Sequence, residues 1–255
     1  MIVALQIGKG NSIGVPGKNL RKTLGRSIME YPLMAASDCE LVEKIYVSTD
    51  CPNIARVGTK YGAIHIERPL ELALPETLTE DVLSHALSFI RSDLKSEPEL
   101  ICLLFCNVAT TTSQNISKAI KILRADDQQN LDSVFSVAEF NMFAPMRARK
   151  LDSQGMILPY VDMNIFDQGT SSIRDDNEDC FFADFAIQVI RPSCIDNIDQ
   201  GLPPVKWMGK STKAIITDYG FDIDKPWQFP AIEMWLENNG FSEKQTPYER
   251  KYEQR

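Results

Sequence analysis

The amino-acid sequence predicts an α/β protein with a mainly parallel, mixed sheet that is covered by helices on both faces. In the first half of the chain, short apolar runs alternate with segments of helical periodicity, as in strands joined by helical crossovers. The run Leu100–Phe105 is apolar throughout, which indicates a strand buried on both faces. The 255 residues, of which 44% are hydrophobic, suffice for a large core, and we expect a single domain over residues 1–255.

The strands are predicted from short apolar runs with polar or glycine-containing segments on either side. The first run follows Met1 directly, and the second ends in the polar residues Ser48, Thr49 and Asp50. The predicted strands are Ile2–Ile7, Lys44–Val47, Ala63–Ile66, Leu100–Phe105, Ser133–Val137, Phe181–Ile190 and Lys213–Thr217.

The helices are predicted where apolar residues recur every three or four positions. The clearest case is Thr79–Leu94, in which Val82, Leu83, Ala86 and Ile90 share one face. The other predicted helices are Ser27–Cys39, Pro52–Tyr61, a helix from Ser113 through Leu123, and Lys225–Asn239, which Gly240 closes.

The segment 141–179 differs from the rest because it is polar, has scattered aromatic residues and shows weak periodicity. A stretch of this length is too long for a plain loop in a compact domain. We interpret it as an inserted arm or small subdomain that mediates dimerisation, so we expect a homodimer.

The charge and composition exclude several classes of protein. A net charge of −8 argues against non-specific nucleic-acid binding, which needs a broad basic surface. No segment is apolar for long enough to span a membrane, and the N-terminus has the pattern of a core strand rather than of a signal peptide. The six cysteines form no CxxC pair, which is typical of reduced thiols, and two histidines make a histidine-rich zinc site improbable. We therefore expect a cytoplasmic protein.

The first candidate site is the glycine-rich loop Gly8–Asn19, which follows the first predicted strand. Its four glycines allow backbone N–H groups to approach an anion closely, and Lys9 and Lys18 add positive charge. The loop matches neither a P-loop nor the GxGxxG fingerprint, since Ile13 stands at the third glycine's place. An ordinary strand–helix turn is the alternative interpretation.

The loop resembles that of the cytidylyltransferase family that makes CMP-sialic acid, CMP-Kdo and related CMP-activated acids. Lys9 stands where that family has arginine, and Ile13 where it has its first lysine. The matching positions in the loop are Ser12, Gly14, Pro16, Lys18 and Asn19. Further segments that match in the same order are Val47–Asp50, Arg68-Pro69, Glu71–Ala73 and Asp222–Asp224. The resemblance covers most of the chain and implies a Rossmann-like, nucleotide-diphospho-sugar transferase-like fold.

The resemblance also implies CTP as a substrate, with Mg²⁺ as cofactor. It assigns catalytic roles to Lys18, Lys9 and Asp224, and metal binding to Asp222 and Asp224. The implied nucleotide-binding residues are Gly8, Gly10, Asn11, Ser12, Lys18, Asn19, Asp50, Arg68 and Asn107.

The two aspartates also have a physical argument of their own. Residues two apart in an extended segment point to the same side, so Asp222 and Asp224 can share one cation, and Mg²⁺ prefers one or two carboxylates. The alternative is that Asp224 is the N-cap of a helix that begins at Lys225 and Pro226.

The acceptor is a small anionic molecule by the same resemblance, but the acceptor segments of the chain depart from those of sialic acid synthetases. Phe182 replaces an arginine and Asp184 an asparagine. The segments Phe182–Asp184 and Lys206–Gly209 are similar to those of phosphonate cytidylyltransferases. The acceptor is therefore a phosphonate such as 2-hydroxyethylphosphonate, or a ulosonic acid. The candidate acceptor-binding residues are Arg147, Arg149, Arg174, Phe182 and Asp184.

Three other functions remain open at the level of sequence. A sugar-1-phosphate nucleotidyltransferase using UTP or GTP shares the fold. A degenerate nucleotide-binding regulatory protein is suggested by Ile13 and Lys9. A dinucleotide-dependent oxidoreductase is disfavoured because the GxGxxG fingerprint is missing. The basic residues Arg147, Arg149 and Lys150 also fit a plain solvated face.

Overall fold

The structure is a computed structural model that describes residues 1–10, 14–166, 170–173 and 176–248. Its strands are β1 (Ile2–Ile7), β2 (Lys22–Thr23), β3 (Arg26–Ser27), β4 (Lys44–Thr49), β5 (Ile64–Glu67), β6 (Leu100–Phe105), β7 (Ser133–Glu139), β8 (Arg149–Leu151), β9 (Ile157–Pro159), β10 (Phe181–Ile190) and β11 (Thr212–Ile216). Its α-helices are α1 (Glu30–Asp38), α2 (Pro52–Lys60), α3 (Thr79–Leu94), α4 (Ser113–Arg124), α5 (Ser193–Asp196) and α6 (Gln228–Asn238).

Seven strands form one mixed sheet in the order β11-β7-β10-β6-β1-β4-β5. All neighbouring strands are parallel except β10, which runs antiparallel to both β6 and β7. The predicted mainly parallel sheet is therefore confirmed. The chain moves outward from β1 through β4 to β5 and then returns to β6 on the other side of β1, so the topological switch point lies between β1 and β6.

Both faces of the sheet are buried because successive residues of each strand point to opposite sides. In β1, Ile2 and Ala4 belong to the core cluster that is covered by α1, α2, α4 and α6. Val3 and Leu5 point the other way and pack in the cluster that is covered by α3 and α5. This burial explains why β1 and β6 are nearly continuous apolar runs.

The predicted element boundaries agree closely with the structure, with two informative differences. Thr79–Leu94, Leu100–Phe105 and Phe181–Ile190 begin and end where the periodicity placed them. The first helix begins at Glu30 rather than Ser27, because Arg26 and Ser27 pair with β2 and the backbone N and Oγ of Ser27 both donate to Glu30 Oε2 at 2.6 Å. The last helix begins at Gln228, three residues later than expected.

The predicted arm at 141–179 contains the β8–β9 hairpin, which is a separate two-stranded sheet. All of its strand residues are exposed to solvent. All six cysteines are free, and Cys39, Cys102, Cys106 and Cys194 are buried, as the sequence predicts for reduced thiols. Among the described residues, no helix is both long enough and apolar enough to cross a bilayer.

Candidate active site

A cleft of about 370 Å³ opens at the switch point, beyond the carboxyl ends of β1 and β6. We call it the switch-point cleft. The loop after β1, the segment between β5 and α3, the end of β6 and the segment before α6 all contribute to it. Its lining residues are Ile7, Gly8, Lys9, Lys18, Asn19, Arg68, Leu72, Leu74, Thr77, Thr79, Val82, Phe105, Cys106, Asn107, Asp222 and Asp224.

The glycine-rich loop is packed tightly against the neighbouring strand ends. A Cβ on Gly8 would overlap the Sγ of the buried Cys106 and lie 2.8 Å from its Cβ, so only glycine fits there. The N–H of Gly10 donates to Asp50 Oδ1 at 3.0 Å, which ties the loop to the end of β4. The predicted nucleotide-binding residues Asn11 and Ser12 lie outside the described residues.

Lys18 and Asp224 form an ion pair across the cleft, with 2.6 Å between Lys18 Nζ and Asp224 Oδ1. Asp222 lines the same cleft, and its pKa is raised by burial and by the neighbouring Asp224 charge, while Lys18 opposes the shift. The structure therefore brings Lys18 and the two aspartates together, as the sequence analysis expected of one shared site.

The donor set fits Mg²⁺. Two carboxylates lie side by side, Asp222 half-buried and Asp224 exposed, and the ammonium group of Lys18 offsets their charge. Mg²⁺ is usually held by one or two carboxylates, with water and phosphate oxygens as its other ligands. In the described part of the chain no group of three or more His, Cys, Asp or Glu side chains forms a closed metal cage. Asp222 and Asp224 would thus form an open site, to be completed by a ligand.

The backbone of the Asp222–Lys225 segment is held by the side chain of Gln228. Gln228 Oε1 accepts from the N–H groups of Asp224 at 2.7 Å and Lys225 at 2.6 Å, and its Nε2 donates to the carbonyl of Asp222 at 3.0 Å. The alternative that Asp224 caps the helix is therefore wrong, since α6 begins at Gln228 and Trp227 occupies its N-cap position. The sequence analysis missed Gln228, although its place just after the two aspartates is a usable signal.

Asn107 supports the same segment from the end of β6. Its carbonyl accepts from the N–H of Ile223 at 3.0 Å. Its Nδ2 lies 3.5 Å from Asp222 Oδ2 and 3.4 Å from the carbonyl of Ile223, at the long end of hydrogen-bond range. Asn107 was predicted to bind nucleotide, and the structure places it in the cleft, against the aspartates.

Three further predicted site residues line the cleft: Arg68 and Asn19, predicted to bind nucleotide, and Lys9, predicted to be catalytic. Arg68 is only 6% exposed, and its Nη2 donates to the carbonyl of Ser48 at 2.7 Å. Burial lowers the pKa of Arg68, and the Asp50 charge partly opposes that shift. Lys9 Nζ reaches toward the carbonyl of Leu74, 3.4 Å away across the cleft.

Asn19 is the third of these residues, and it connects the two ends of the glycine-rich loop. Its Nδ2 donates to the carbonyl of Lys9 at 3.1 Å. Its Oδ1 is buried without a hydrogen-bond partner among the described residues. A buried acceptor of this kind in the cleft is available to a donor group of a ligand.

Phe182 and Asp184, two of the predicted acceptor residues, are not among the residues that line this cleft. Asp184 is 2% exposed, and its carboxylate accepts from Ser136 Oγ, Thr217 Oγ1 and the N–H of Ala186, which indicates a structural role. Phe182 packs edge-on against Phe140 with 6.0 Å between ring centroids.

Arg147 and Arg149, two of the arginines predicted to bind the acceptor, do not line the cleft either. Arg147 and Arg149 are exposed on the arm, where Arg149 Nη1 donates to the carbonyl of Met146 at 2.8 Å. Arg174 lies outside the described residues. Within a single copy of the chain, the described acceptor candidates thus do not share the cleft with the aspartates.

A cleft that combines a tightly packed glycine turn, converging cations and a carboxylate pair at the switch point is suited to a phosphate-bearing ligand. The fold and the site thus define an α/β nucleotide-binding protein of the nucleotidyltransferase class. The sequence profile described as cytidylyltransferase matches residues 9–143, more than half of the chain. The chain belongs to this family, and the resemblance found in its motifs is confirmed.

Two curated relatives show how far the similarity extends. The N-acylneuraminate cytidylyltransferase of Oncorhynchus mykiss is 25% identical over 241 residues, which cover 94% of this chain and 51% of that protein. The chain thus spans about half the length of that relative. The CMP-N,N'-diacetyllegionaminic acid synthase of Legionella pneumophila is 28% identical over 171 residues, covering 65% of this chain and 70% of that protein.

Two solved structures share the fold. One is a CMP:2-keto-3-deoxy-manno-octonic acid synthetase complexed with CTP, with a TM-score of 0.65, 13% identity, and coverage of 93% of this chain and 98% of that chain. The other is a 4-diphosphocytidyl-2C-methyl-D-erythritol synthase of Anaerococcus prevotii, with a TM-score of 0.59, 14% identity, and coverage of 92% and 96%. At this identity the likeness concerns the fold, and it confirms the predicted fold class.

The packing of Gly8 against Cys106 generates a testable prediction about the loop. We expect Gly8→Ala to lower the free energy of unfolding by about 1–3 kcal/mol, because the new methyl group overlaps a close-packed thiol. Removing that thiol in a Gly8→Ala/Cys106→Ala double variant should restore part of the loss. Urea denaturation of both single variants and the double variant measures the coupling, and strictly additive effects would contradict the packing argument.

Proposed function

We propose that the chain is a CTP-dependent cytidylyltransferase that joins CMP to a small acidic acceptor and releases pyrophosphate. The observation that carries this proposal is the shared cleft in which Lys18 meets Asp222 and Asp224 beside the glycine-rich loop. Family membership supports the nucleotidyl-transfer chemistry. The relatives that are named for N-acylneuraminate and for CMP-N,N'-diacetyllegionaminic acid support CTP as the donor and an acidic acceptor.

In the proposed reaction, an oxygen of the acceptor forms a bond to the α-phosphorus of CTP. The bond between that phosphorus and the oxygen bridging to the β-phosphorus breaks, and pyrophosphate leaves with the electron pair. A hydroxyl acceptor also loses a proton, whereas a phosphonate oxygen is already anionic. Catalysis of such a step is mainly positioning and electrostatic stabilisation of negative charge.

The residues of the cleft can supply both the positioning of the reactants and the stabilisation of negative charge. Lys18 is held at the cleft by Asp224 and would neutralise charge on the phosphates, with Lys9 acting from the other end of the loop. Arg68 adds a buried positive charge beside β4. Asp222 and Asp224 would hold Mg²⁺, which supplies Lewis acidity to the phosphate oxygens when bound.

We further propose that the arm is the contact of a homodimer. Its hairpin exposes large apolar side chains, including Leu151 of β8 and Ile157 of β9, and Ile157 is 69% exposed. These side chains lie close to the polar residues of β8. Exposed apolar patches of this kind typically mark protein interfaces. In such a dimer Arg147 and Arg149 would carry positive charge toward a second copy of the chain, where an anionic acceptor could use it.

The proposed reaction predicts that Lys18→Ala and Asp224→Ala each lower turnover by a factor of about 10² or more, because each removes a charge that stabilises the phosphates or the metal. Turnover is measured as Mg²⁺-dependent pyrophosphate release from CTP, with UTP, GTP and ATP in parallel. The acceptor panel contains 2-hydroxyethylphosphonate and eight- and nine-carbon ulosonic acids. Circular dichroism checks that both variants are folded.

The matched controls are Lys118→Ala and Asp127→Ala, which remove one exposed charge of each sign away from the cleft and should leave turnover unchanged. Full activity in Lys18→Ala or Asp224→Ala would exclude the role given to that residue. Preference for UTP or GTP would favour a sugar-1-phosphate nucleotidyltransferase. Binding of CTP without pyrophosphate release from any acceptor would favour a regulatory protein.

The contacts of Gln228 predict that it positions the metal-binding segment without touching the reactants. Gln228→Leu removes three hydrogen bonds to the backbone of Asp222, Asp224 and Lys225, and we expect about a tenfold loss of kcat/KM together with a higher Mg²⁺ requirement. Gln228→Glu keeps the acceptor for two N–H groups and should lose less. Gln245→Leu, at an exposed position, is the control. An unchanged Mg²⁺ titration would argue against positioning.

The dimer proposal predicts that Ile157→Asp shifts the protein toward the monomer, because a buried, unpaired carboxylate is costly in an apolar interface. Analytical ultracentrifugation over a range of protein concentrations measures the shift. Met234→Asp places the same charge on the exposed face of α6 and serves as the control. A wild-type chain that sediments as a monomer at every concentration would refute the proposal.

A further inference from the structure

Strand β10 contains an irregularity that the proposed reaction does not use. Its pairing with β7 passes from Ala183 opposite Val137 to Gln188 opposite Phe135, so residues 184–187 stand opposite Ser136 alone. Within this bulge Phe185 has a φ of 59°, in the left-handed region that favours glycine. A bulky side chain in this conformation is strained, and such strain persists only where the surrounding structure enforces it.

Buried hydrogen bonds enforce the conformation of the bulge. The Asp184 carboxylate accepts from Ser136 Oγ and from the N–H of Ala186, the latter at 3.0 Å. Ser136 Oγ in turn accepts from the N–H of Ile187 at 2.7 Å. These groups are buried, so releasing the bulge would leave several polar atoms without partners.

The bulge directs the Phe185 ring onto Phe105, with 5.7 Å between centroids and 32° between ring planes. Phe105 lines the switch-point cleft and also contacts Trp207, with centroids 6.2 Å apart. Trp207 Nε1 donates to Gln188 Oε1 at 2.9 Å, and Gln188 Nε2 lies 3.3 Å from the carbonyl of Phe185. Phe105, Phe185 and Trp207, which we call the aromatic wall, are thus locked to one another and to the bulge.

Phe105 is the member of the aromatic wall that lines the cleft, at the end of β6, and Phe185 and Trp207 pack behind it. The loop follows β1, and Arg68 follows β5 on the same side, whereas β6 and β10 lie across the switch point. In the proposed transfer the attacking and leaving oxygens are roughly in line at the α-phosphorus. If the loop holds the departing phosphates, the acceptor approaches from the side of the wall.

An aromatic wall at that place selects against polyhydroxylated acceptors. Discrimination in favour of a sugar acid requires hydrogen-bond partners for its hydroxyl groups, and a hydroxyl buried against aromatic carbon loses its bonds to water without replacement. The polar side chains of β10 on either side of Phe185 are both occupied. Asp184 accepts from Ser136, Thr217 and the N–H of Ala186, and Gln188 accepts from Trp207. The wall therefore favours an acid with few hydroxyl groups and a short carbon chain.

We propose that Phe185 is a specificity-determining residue, which fixes Phe105 as a wall that admits a short acidic acceptor and excludes eight- and nine-carbon sugar acids. The inference rests on the proposed cytidylyl transfer and narrows its acceptor class. Phe185 acts through Phe105 and does not itself line the cleft, so its effect is on acceptor choice rather than on CTP.

The test compares wild-type protein with Phe185→Gly and Phe185→Asn, since glycine and asparagine both tolerate a positive φ and neither supplies a ring. The kcat/KM is measured with CTP and Mg²⁺ for 2-hydroxyethylphosphonate, 2-keto-3-deoxy-manno-octonic acid and N-acetylneuraminic acid. We expect wild type to prefer the short acceptor by about 100-fold, and both variants to lower that ratio about tenfold or more. The KM for CTP should stay within about twofold in the folded variants.

Gln129→Gly is the matched control because Gln129 also has a positive φ, of 52°, but is exposed and remote from the wall. Its acceptor ratio should equal that of wild type. If Phe185→Gly does not fold, Phe185→Asn and Phe105→Leu carry the test. An active wild type that prefers a sugar acid, or variants with an unchanged ratio, would overturn the inference and leave the proposed transfer standing. A wild type inactive with every acceptor would overturn both.

Discussion

The site depends above all on the balance of charge between Lys18 and the pair Asp222 and Asp224. Partial burial and the neighbouring Asp224 charge both raise the pKa of Asp222, because two carboxylates this close repel each other. Lys18, at 2.6 Å from Asp224, supplies the compensating charge from a loop 206 residues away in the sequence. Close approach of the two segments needs glycine, because a Cβ on Gly14 would lie 3.0 Å from the carbonyl of Asp224. The ion pair therefore joins the first loop of the fold to the segment that precedes its last helix.

The sheet is what makes that meeting possible. The carboxyl ends of β1 and β6 meet at one edge because the strands are parallel, and the reversal of strand order between them opens a crevice there. The antiparallel strand β10 pairs with β6 and packs Phe185 against Phe105, which lines the crevice. The chain carries a net charge of −8, yet Lys9, Lys18 and Arg68 converge at this edge. An acidic protein can thus present a locally positive site without a basic surface.

Periodicity in the sequence was enough to predict the sheet and most helices, and the resemblance of its motifs to the cytidylyltransferase family indicated most of the residues that meet at the switch point. Thr79–Leu94 has a regular apolar face, and Leu100–Phe105 is buried on both sides, so each has one stable assignment. The remainder depended on long-range contacts that no local pattern encodes. The residues after Asp224 are typical of a helix start, with Asp224 as the N-cap. In the structure Gln228 accepts from the Asp224 N–H, and the helix begins only at Gln228. Asp184 was predicted to bind the acceptor from its place in a family motif. In the structure its carboxylate instead accepts hydrogen bonds from Ser136 and Thr217, both distant in sequence.

Four unfavourable features of the structure lie at this cleft or beside it, and they bear on function. Arg68 is buried, Asn19 Oδ1 has no partner within the described residues, the aspartates repel each other, and Phe185 holds a conformation suited to glycine. Each of these would be selected against if stability alone mattered, because a smaller or apolar residue would remove the cost. A ligand that brings phosphate oxygens to Arg68 and a cation to the aspartates would offset the electrostatic costs. The strain at Phe185 has no such electrostatic remedy, so its retention requires a steric reason, and the position of Phe105 in the cleft supplies one.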